Sequence, residues 1–229
     1  MPNSDKDFRV YYQNVRGLRT QTKEIYSTTS DVEYDVLALT ETWLDYSIKS
    51  SELFSSNVLV FRSDRNFECS GKSRGGGALL AIKSNLSCSL VDTKAISANM
   101  IDAVACKILL STSTLHIFCI YIPPKTPVID VELFLDMLCE FCSQLNQVLI
   151  VGDFNFPEFA KCLNKVNTIY TNFMNFLDLR QCNYILNSHK VMLDLVFTNV
   201  GKCAVFKEDE PILREDSHHP AFVINMILK

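Results

Sequence analysis

Nine short runs of β-branched, aromatic and aliphatic residues set the tightest limit on what this chain can fold into. They are Phe8 to Val15, Asp35 to Thr40, Val58 to Arg62, Ala78 to Lys83, Ala103 to Leu110, Leu115 to Ile122, Gln147 to Val151, Leu193 to Thr198 and Ala221 to Ile227. Several are apolar on both alternating sets, as in Val148-Leu149-Ile150-Val151. That pattern predicts strands covered on both faces rather than half-exposed ones. Helical periodicity is scarcer. After Pro127, residues Val131, Phe134, Leu135, Leu138, Phe141 and Cys142 recur at three- and four-residue steps and predict a helix from Val128 to Leu145. Ile169 to Leu179 reads as a second helix and Thr20 to Ser30 as a shorter third. Strands outnumber helices but alternate with them, so the class is α/β, with two sheets inside and helices outside.

No Pro-, Gly- or Ser-rich stretch divides the 229 residues, so residues 1–229 are read as one domain. The longest apolar runs fall well short of the roughly 18 residues that cross a bilayer. The polar start Met-Pro-Asn-Ser-Asp carries no secretory signal, and nucleus or cytoplasm is the expected location. The nine cysteines are an odd count scattered through apolar contexts. Cys139 and Cys142 form a lone Cys-x-x-Cys on the Val128 helix, where packing is favoured over zinc.

A net charge of −4 excludes a uniformly basic nucleic-acid binder, so any phosphate contact must be local. Two basic stretches could supply it: Arg9, Arg16, Arg19 and Lys23, then Arg62, Arg65, Lys72 and Arg74. For either stretch a solvated face is the plainer reading.

Polar residues repeatedly follow an apolar strand: Asn14 after Val10-Tyr11-Tyr12, Glu41 after Leu37-Ala38-Leu39-Thr40, and Asp153 and Asn155 after Leu149-Ile150-Val151-Gly152. Singly each is a turn or cap residue. Together, carboxylates and amides at strand ends converge on one rim of a sheet, which is how a hard-cation site and phosphate clamp are built from distant segments. Asp153 and Asn155, two apart, can face one cleft, the Asp taking a proton from water and the Asn donating to a phosphate oxygen. Tyr121 before Pro123-Pro124, Asp194 at the start of Leu-Val-Phe, and Asp216-Ser217-His218-His219-Pro220 complete the set.

Six ordered motifs, Gln13 to Arg19 (Gln-Asn-Val-Arg-Gly-Leu-Arg), Thr40 to Trp43 (Thr-Glu-Thr-Trp), Arg74-Gly-Gly-Gly77, Tyr121-Ile-Pro-Pro124, Gly152-Asp-Phe-Asn155 and Leu193 to Asn199, span nearly the whole chain. In these the chain resembles the endonuclease/exonuclease/phosphatase superfamily, and within it the apurinic-endonuclease-like domain of non-LTR (LINE-type) retrotransposons. The resemblance implies a four-layer α/β sandwich of two mixed sheets. It implies a phosphodiesterase, dependent on Mg²⁺ with Mn²⁺ as a substitute, that nicks one strand of double-stranded DNA and leaves a 3′ hydroxyl for target-primed reverse transcription. A reverse transcriptase region of the same polyprotein is the implied partner.

Carried over by position, Glu41 is the principal metal ligand with Asn14 beside it. Asp153 activates water, Asn155 holds a phosphate oxygen, and Tyr121 donates to the phosphate or leaving group. Asp194 fixes a histidine that clamps the phosphate. Arg16, Arg19 and Arg74 are the implied DNA or phosphate contacts, with simple solvation the alternative for Arg16. Trp43 reads as packing, with stacking on DNA the alternative.

One run departs from the family pattern, which is Ser-Asp-His, one residue, then Pro. Counting back from Pro220 makes His218 the catalytic imidazole and leaves His219 as a loop residue. Anchoring on Asp216, the implied second carboxylate near the metal, shifts the register to His219. The proline count is favoured. The departure also keeps open a catalytically weakened, DNA- or protein-binding derivative, and more distantly a phosphatase or phosphodiesterase of the same fold.

Overall fold

The computed structural model describes residues 6–29, 33–65, 74–96, 100–157, 159 and 165–228. Two mixed sheets of six strands each stack face to face. The first sheet runs in the order β11 (Lys202–Lys207), β12 (Phe222–Leu228), β1 (Lys6–Asn14), β2 (Val36–Thr40), β4 (Ala78–Lys83), β3 (Val58–Ser63). The second runs β5 (Cys88–Val91), β6 (Asp102–Leu109), β7 (Thr114–Tyr121), β8 (Gln147–Asp153), β10 (Asp194–Thr198), β9 (Arg180–Gln181). Helices α1 (Thr22–Thr28), α2 (Val128–Cys142) and α3 (Lys165–Phe176), with two short 3-10 turns at Ser50–Glu52 and Lys94–Ile96, complete the described elements.

The sandwich follows from alternation along each central strand. Phe8, Val10 and Tyr12 of β1 face inward with Val36, Ala38, Leu80 and Ile82, and meet Val104, Ile117, Cys119, Leu149, Val151 and Val196 of the other sheet. The odd members, Tyr11, Leu37, Leu39, Leu79 and Ala81, cover the outer face with Leu18, Ile25, Leu53 and Phe54. On the far side Phe118, Ile120, Ile150, Leu195 and Phe197 pack beneath Phe134, Leu135, Leu138, Tyr170 and Phe173 of α2 and α3. Full burial of each such side chain contributes about 1.5–3 kcal/mol. Two-sided burial explains why these runs lack polar alternation.

All nine predicted strands are present with ends shifted by a residue or two, and the three predicted helices appear as α1, α2 and α3. Cys139 and Cys142 pack in the layer beneath α2, as the packing reading held. Three further strands, β5, β9 and β11, escaped the sequence pattern. Each is a sheet edge.

Register then assembles one end of the sandwich. The sheets each carry one parallel pair, β1 with β2 and β7 with β8. These pairs end level: Asn14 lies opposite Thr40, and Tyr121 opposite Asp153. The antiparallel partner β10 sets Asp194 opposite Asp153, and β6 sets Asp102 opposite Tyr121. Gly152 permits this approach, since a Cβ there would lie 1.9 Å from the Ile120 carbonyl oxygen. Strand ends from both sheets thereby open onto a single rim.

Candidate active site

Asp153 sits at the centre of that rim, with no solvent-accessible surface. Its Oδ2 accepts from Asn14 Nδ2 at 2.9 Å and its Oδ1 from the Asn155 backbone N–H at 3.0 Å. Burial, then the neighbouring Asp194 charge, pushes its carboxyl well above the usual carboxylate range. A carboxylate with raised proton affinity is suited to accept a proton from water near neutral pH.

Across from it, His219 is buried, and its Nδ1 lies 3.0 Å from Asp194 Oδ2 and 3.2 Å from Oδ1. The opposite nitrogen, Nε2, is 3.8 Å from Asp153 Oδ2. Burial favours the neutral ring, but the charge of Asp194, its hydrogen bond and the charge of Asp153 outweigh it and raise the imidazole to about 10. The ring is therefore an imidazolium at neutral pH, able to present an N–H to developing negative charge. Asp194 is held in turn by Tyr12 Oη, which donates to Oδ1 at 2.7 Å and lies 2.8 Å from Thr40 Oγ1. Asn183 Nδ2 donates to the Asp194 carbonyl at 2.7 Å.

The favoured proline register is thus corrected: His219, not His218, meets Asp194. Asp216 causes the slip. Its Oδ1 accepts the backbone N–H groups of both His218, at 2.7 Å, and His219, at 3.0 Å, turning the loop so that the second histidine points inward. His218 is exposed, 3.2 Å from Ser217 Oγ and with its ring centroid 4.6 Å from that of His189.

The Glu41 half is built from strained backbone. Arg16, Glu41, Trp43 and Asn155 all have positive φ, between 45° and 54°, a conformation that costs a non-glycine residue about 1 kcal/mol or more and clusters at functional sites. Glu41 Oε1 accepts from Tyr121 Oη at 2.8 Å and Oε2 from Trp43 Nε1 at 3.1 Å. Burial, reinforced by the Glu41 charge, pushes the Tyr121 phenol up, so it stays a hydrogen-bond donor. Trp43 is a positioning residue here; its ring is capped by the Arg74 guanidinium 4.0 Å from the centroid.

Two expected roles look different in place. Asp216, expected near the metal, gives its Oδ2 to the Arg16 guanidinium, which lowers its pKa despite partial burial. Its Oδ1 accepts two loop N–H groups, so the residue organises the loop that carries the histidines. Asn155 spends one amide hydrogen on the Ile122 carbonyl at 2.9 Å, leaving the other for a ligand. Arg19 is exposed and paired with Asp45 at 3.0 Å. In the second basic stretch Arg62 is committed to Asp64 and the Ile48 and Asp45 carbonyls, and Arg65 is buried. Lys72 lies outside the described residues. Tyr12 and Asn183 were missed, and Arg65 was named only as a possible phosphate contact; Tyr12 left a signal, since it precedes Asn14 by two on the same strand face.

Among the described residues, Asp153, Asp194 and His219 offer ligand atoms within 4.8 Å of one another, a group able to hold a metal. The Asp194–His219 hydrogen bond already occupies one of its nitrogens. A hard cation such as Mg²⁺ prefers oxygen, which Glu41 and the Asn14 carbonyl supply. The residues present therefore fit such an ion on the Glu41 side.

No protein-family model and no curated protein sequence matches the chain. Solved structures do. The endonuclease domain of TRAS1, a telomere-specific non-LTR retrotransposon, superposes with a TM-score of 0.69 at 15% identity, covering 97% of this chain and 99% of that one. D. rerio TDP2 complexed with single-strand DNA product gives a TM-score of 0.63 at 15% identity over 96% and 99% of the two chains. An AP endonuclease from Archaeoglobus fulgidus gives 0.63 at 13% identity over 96% and 100%. The chain has the endonuclease/exonuclease/phosphatase fold.

Proposed function

We propose that this chain is a divalent-metal-dependent DNA endonuclease. It nicks one strand of double-stranded DNA and leaves a 3′ hydroxyl from which a reverse transcriptase region of the same polyprotein primes synthesis. The observation that carries the reading is the convergence of Asn14, Glu41, Tyr121, Asp153, Asp194 and His219, from four strands and two loops, on one rim. The set contains a base, a cation clamp and an oxygen-ligand carboxylate. The similarity of the fold to nucleases agrees with it.

Asp153, its two oxygens held by Asn14 and Asn155, takes the proton from a water. The water oxygen bonds to phosphorus, the bond from phosphorus to the 3′ oxygen breaks, and that oxygen leaves as an alkoxide that takes a proton from solvent to become the 3′ hydroxyl, opposite a 5′ phosphate. His219 holds a non-bridging oxygen through its Nε2 proton as charge builds, and Tyr121 and the free Asn155 amide hydrogen fix the phosphate. Glu41 with Asn14 would hold Mg²⁺, which when bound would supply Lewis-acid stabilisation of that charge. Exposed Arg16, Arg19 and Arg74 border the Glu41 side and receive the DNA backbone, which would place its action where genomic DNA is, in the nucleus. A binding module without chemistry has one observation in its favour, the engagement of Asp216 by Arg16.

Supercoiled plasmid incubated with the protein and Mg²⁺ decides between them. Open circles that require the metal, disappear with EDTA and are abolished by Glu41→Ala and Asp153→Ala support the nuclease. Folded protein that nicks no faster than those variants refutes it.

A further inference from the structure

An ion pair outside the candidate set ties both halves of the rim together. Arg65, two residues past β3, and Asp102, the first residue of β6, have side chains 4% and 10% exposed. Arg65 Nη2 donates to Asp102 Oδ2 at 2.5 Å and to the Met100 carbonyl at 2.8 Å, while Nε lies 3.4 Å from Oδ1. A buried pair of this kind gives little net stability, because desolvation offsets the Coulomb attraction. Its position accounts for it better than its energy does.

Asp102 is the register partner of Tyr121, and the Arg65 guanidinium carbon stands 5.3 Å from the centre of the Tyr121 ring. The same Asp102 Oδ2 accepts the Gly77 backbone N–H at 2.8 Å. The turn it anchors then accepts from the Glu41 loop, through Trp43 N to the Gly76 carbonyl at 2.9 Å and Thr42 N to the Gly77 carbonyl at 3.4 Å. Gly76 must be glycine because a Cβ would sit 2.4 Å from Arg65 Cζ at a φ of +76°. One buried fork thus touches the phenol that donates to Glu41 and the turn that holds Glu41's own strained loop.

We infer that Arg65, through Asp102, is a positioning residue that fixes the Tyr121 phenol and the Glu41–Trp43 loop in their working geometry. The inference rests on the proposed nuclease reading for its kinetic consequence only. Removing the fork lets the phenol and loop drift. A misplacement on the order of 1 Å can cost about 10²-fold in rate, so the loss falls on kcat rather than on KM.

Arg65→Met alone strands Asp102 as a buried unpaired charge and invites unfolding. The informative variant is therefore Arg65→Met with Asp102→Leu, an apolar pair that can keep the fold. Arg65→Met with Asp102→Asn, which leaves no buried charge and keeps an acceptor for the Gly77 N–H, is measured in parallel so that a poorly folding first variant leaves the readouts standing. Trp43 is the chain's only tryptophan, so its emission reports the Glu41 loop without any turnover.

Folded variants are expected to show a shifted Trp43 emission and a kcat for plasmid nicking at least about tenfold lower with KM nearly unchanged. In a Tyr121→Phe background the same substitutions should cost less than in the wild type, because residues acting through one another are not additive. Folded variants with wild-type emission, wild-type kcat and full additivity with Tyr121→Phe would overturn the inference. If the wild-type protein does not nick, the nuclease reading fails, and the Trp43 emission alone decides whether Arg65 positions the loop.

Discussion

Asp194→Asn tests the electrostatics of the rim most directly, because asparagine keeps an oxygen for Tyr12 and removes only the charge facing His219. At 3.0 Å and an effective dielectric of about 20, one carboxylate stabilises the imidazolium by about 5 kcal/mol. The rise of the ring from 6.5 to about 10 is what remains when that attraction, with those of Asp153 and Asp216, is set against burial. Without Asp194, burial works against Asp153 and Asp216 and the ring returns toward 6.5. If the clamp must be protonated, the variant at pH 8 keeps about 3% of its rings in the working form. Nicking should then fall about 30-fold at pH 8, by protonation alone, and far less at pH 6. The wild type should hold its rate until pH approaches 10. The raised ring also contributes stability that is fully present below pH 6.5 and lost as pH rises through about 10. Denaturation midpoints should decline across that window in the wild type and less in the variant. Ring NMR titration, nicking rates from pH 6 to 10 and urea unfolding measure all three. A wild-type His219 that titrates near 6.5, or a rate loss in Asp194→Asn equal at every pH, would refute the imidazolium clamp.

His219→Ala should lower the nicking kcat by about 10² to 10³, the cost of one preorganised donor to a developing oxyanion. His218→Ala, an exposed change, should stay within about twofold, and equal losses at the two positions would return the question of register. Gly152→Ala drives a methyl into the Ile120 carbonyl and should destabilise by about 3 kcal/mol as β7 and β8 are forced apart; an unchanged melting temperature would show that the strands can separate freely. Arg74→Ala removes the exposed cation over Trp43, and if Arg74 meets a DNA phosphate the slope of log affinity against log salt should shrink by about 0.9, measured by fluorescence anisotropy.

The two layers of central strands were legible in the sequence because burial on both faces erases polar alternation, leaving runs such as Leu115 to Ile122 that suit little else. The edges were not, for the opposite reason. β11 reads Lys202-Cys-Ala-Val-Phe-Lys207, with only Cys203 and Val205 turned partly inward, and Phe206 stands exposed. β9 is two residues long. A strand that buries one face shallowly, or hardly exists as a run, leaves no periodicity above that of a loop, and only its paired neighbour reveals it.

The rim divides along the same physical line. Residues at strand ends were found from sequence because register fixes them: β7 and β8 must end level for Tyr121 to oppose Asp153, and β10 must run back for Asp194 to oppose Asp153. The histidine was misassigned because its loop is placed by a side chain and not by a ladder. Counting from Pro220 treats the intervening peptide as rigid, yet Asp216 bonds two successive backbone N–H groups and is itself drawn to Arg16, about 200 residues earlier in the chain. The Asp216-Ser217 order and the basic residue at position 16 make a consistent pair. An arginine there calls for a carboxylate across the rim, and a carboxylate held at position 216 advances the loop by one residue, so that His219 is delivered to Asp194. The Asp194–His219 pair is therefore intact in a chain whose motif departs from the family pattern.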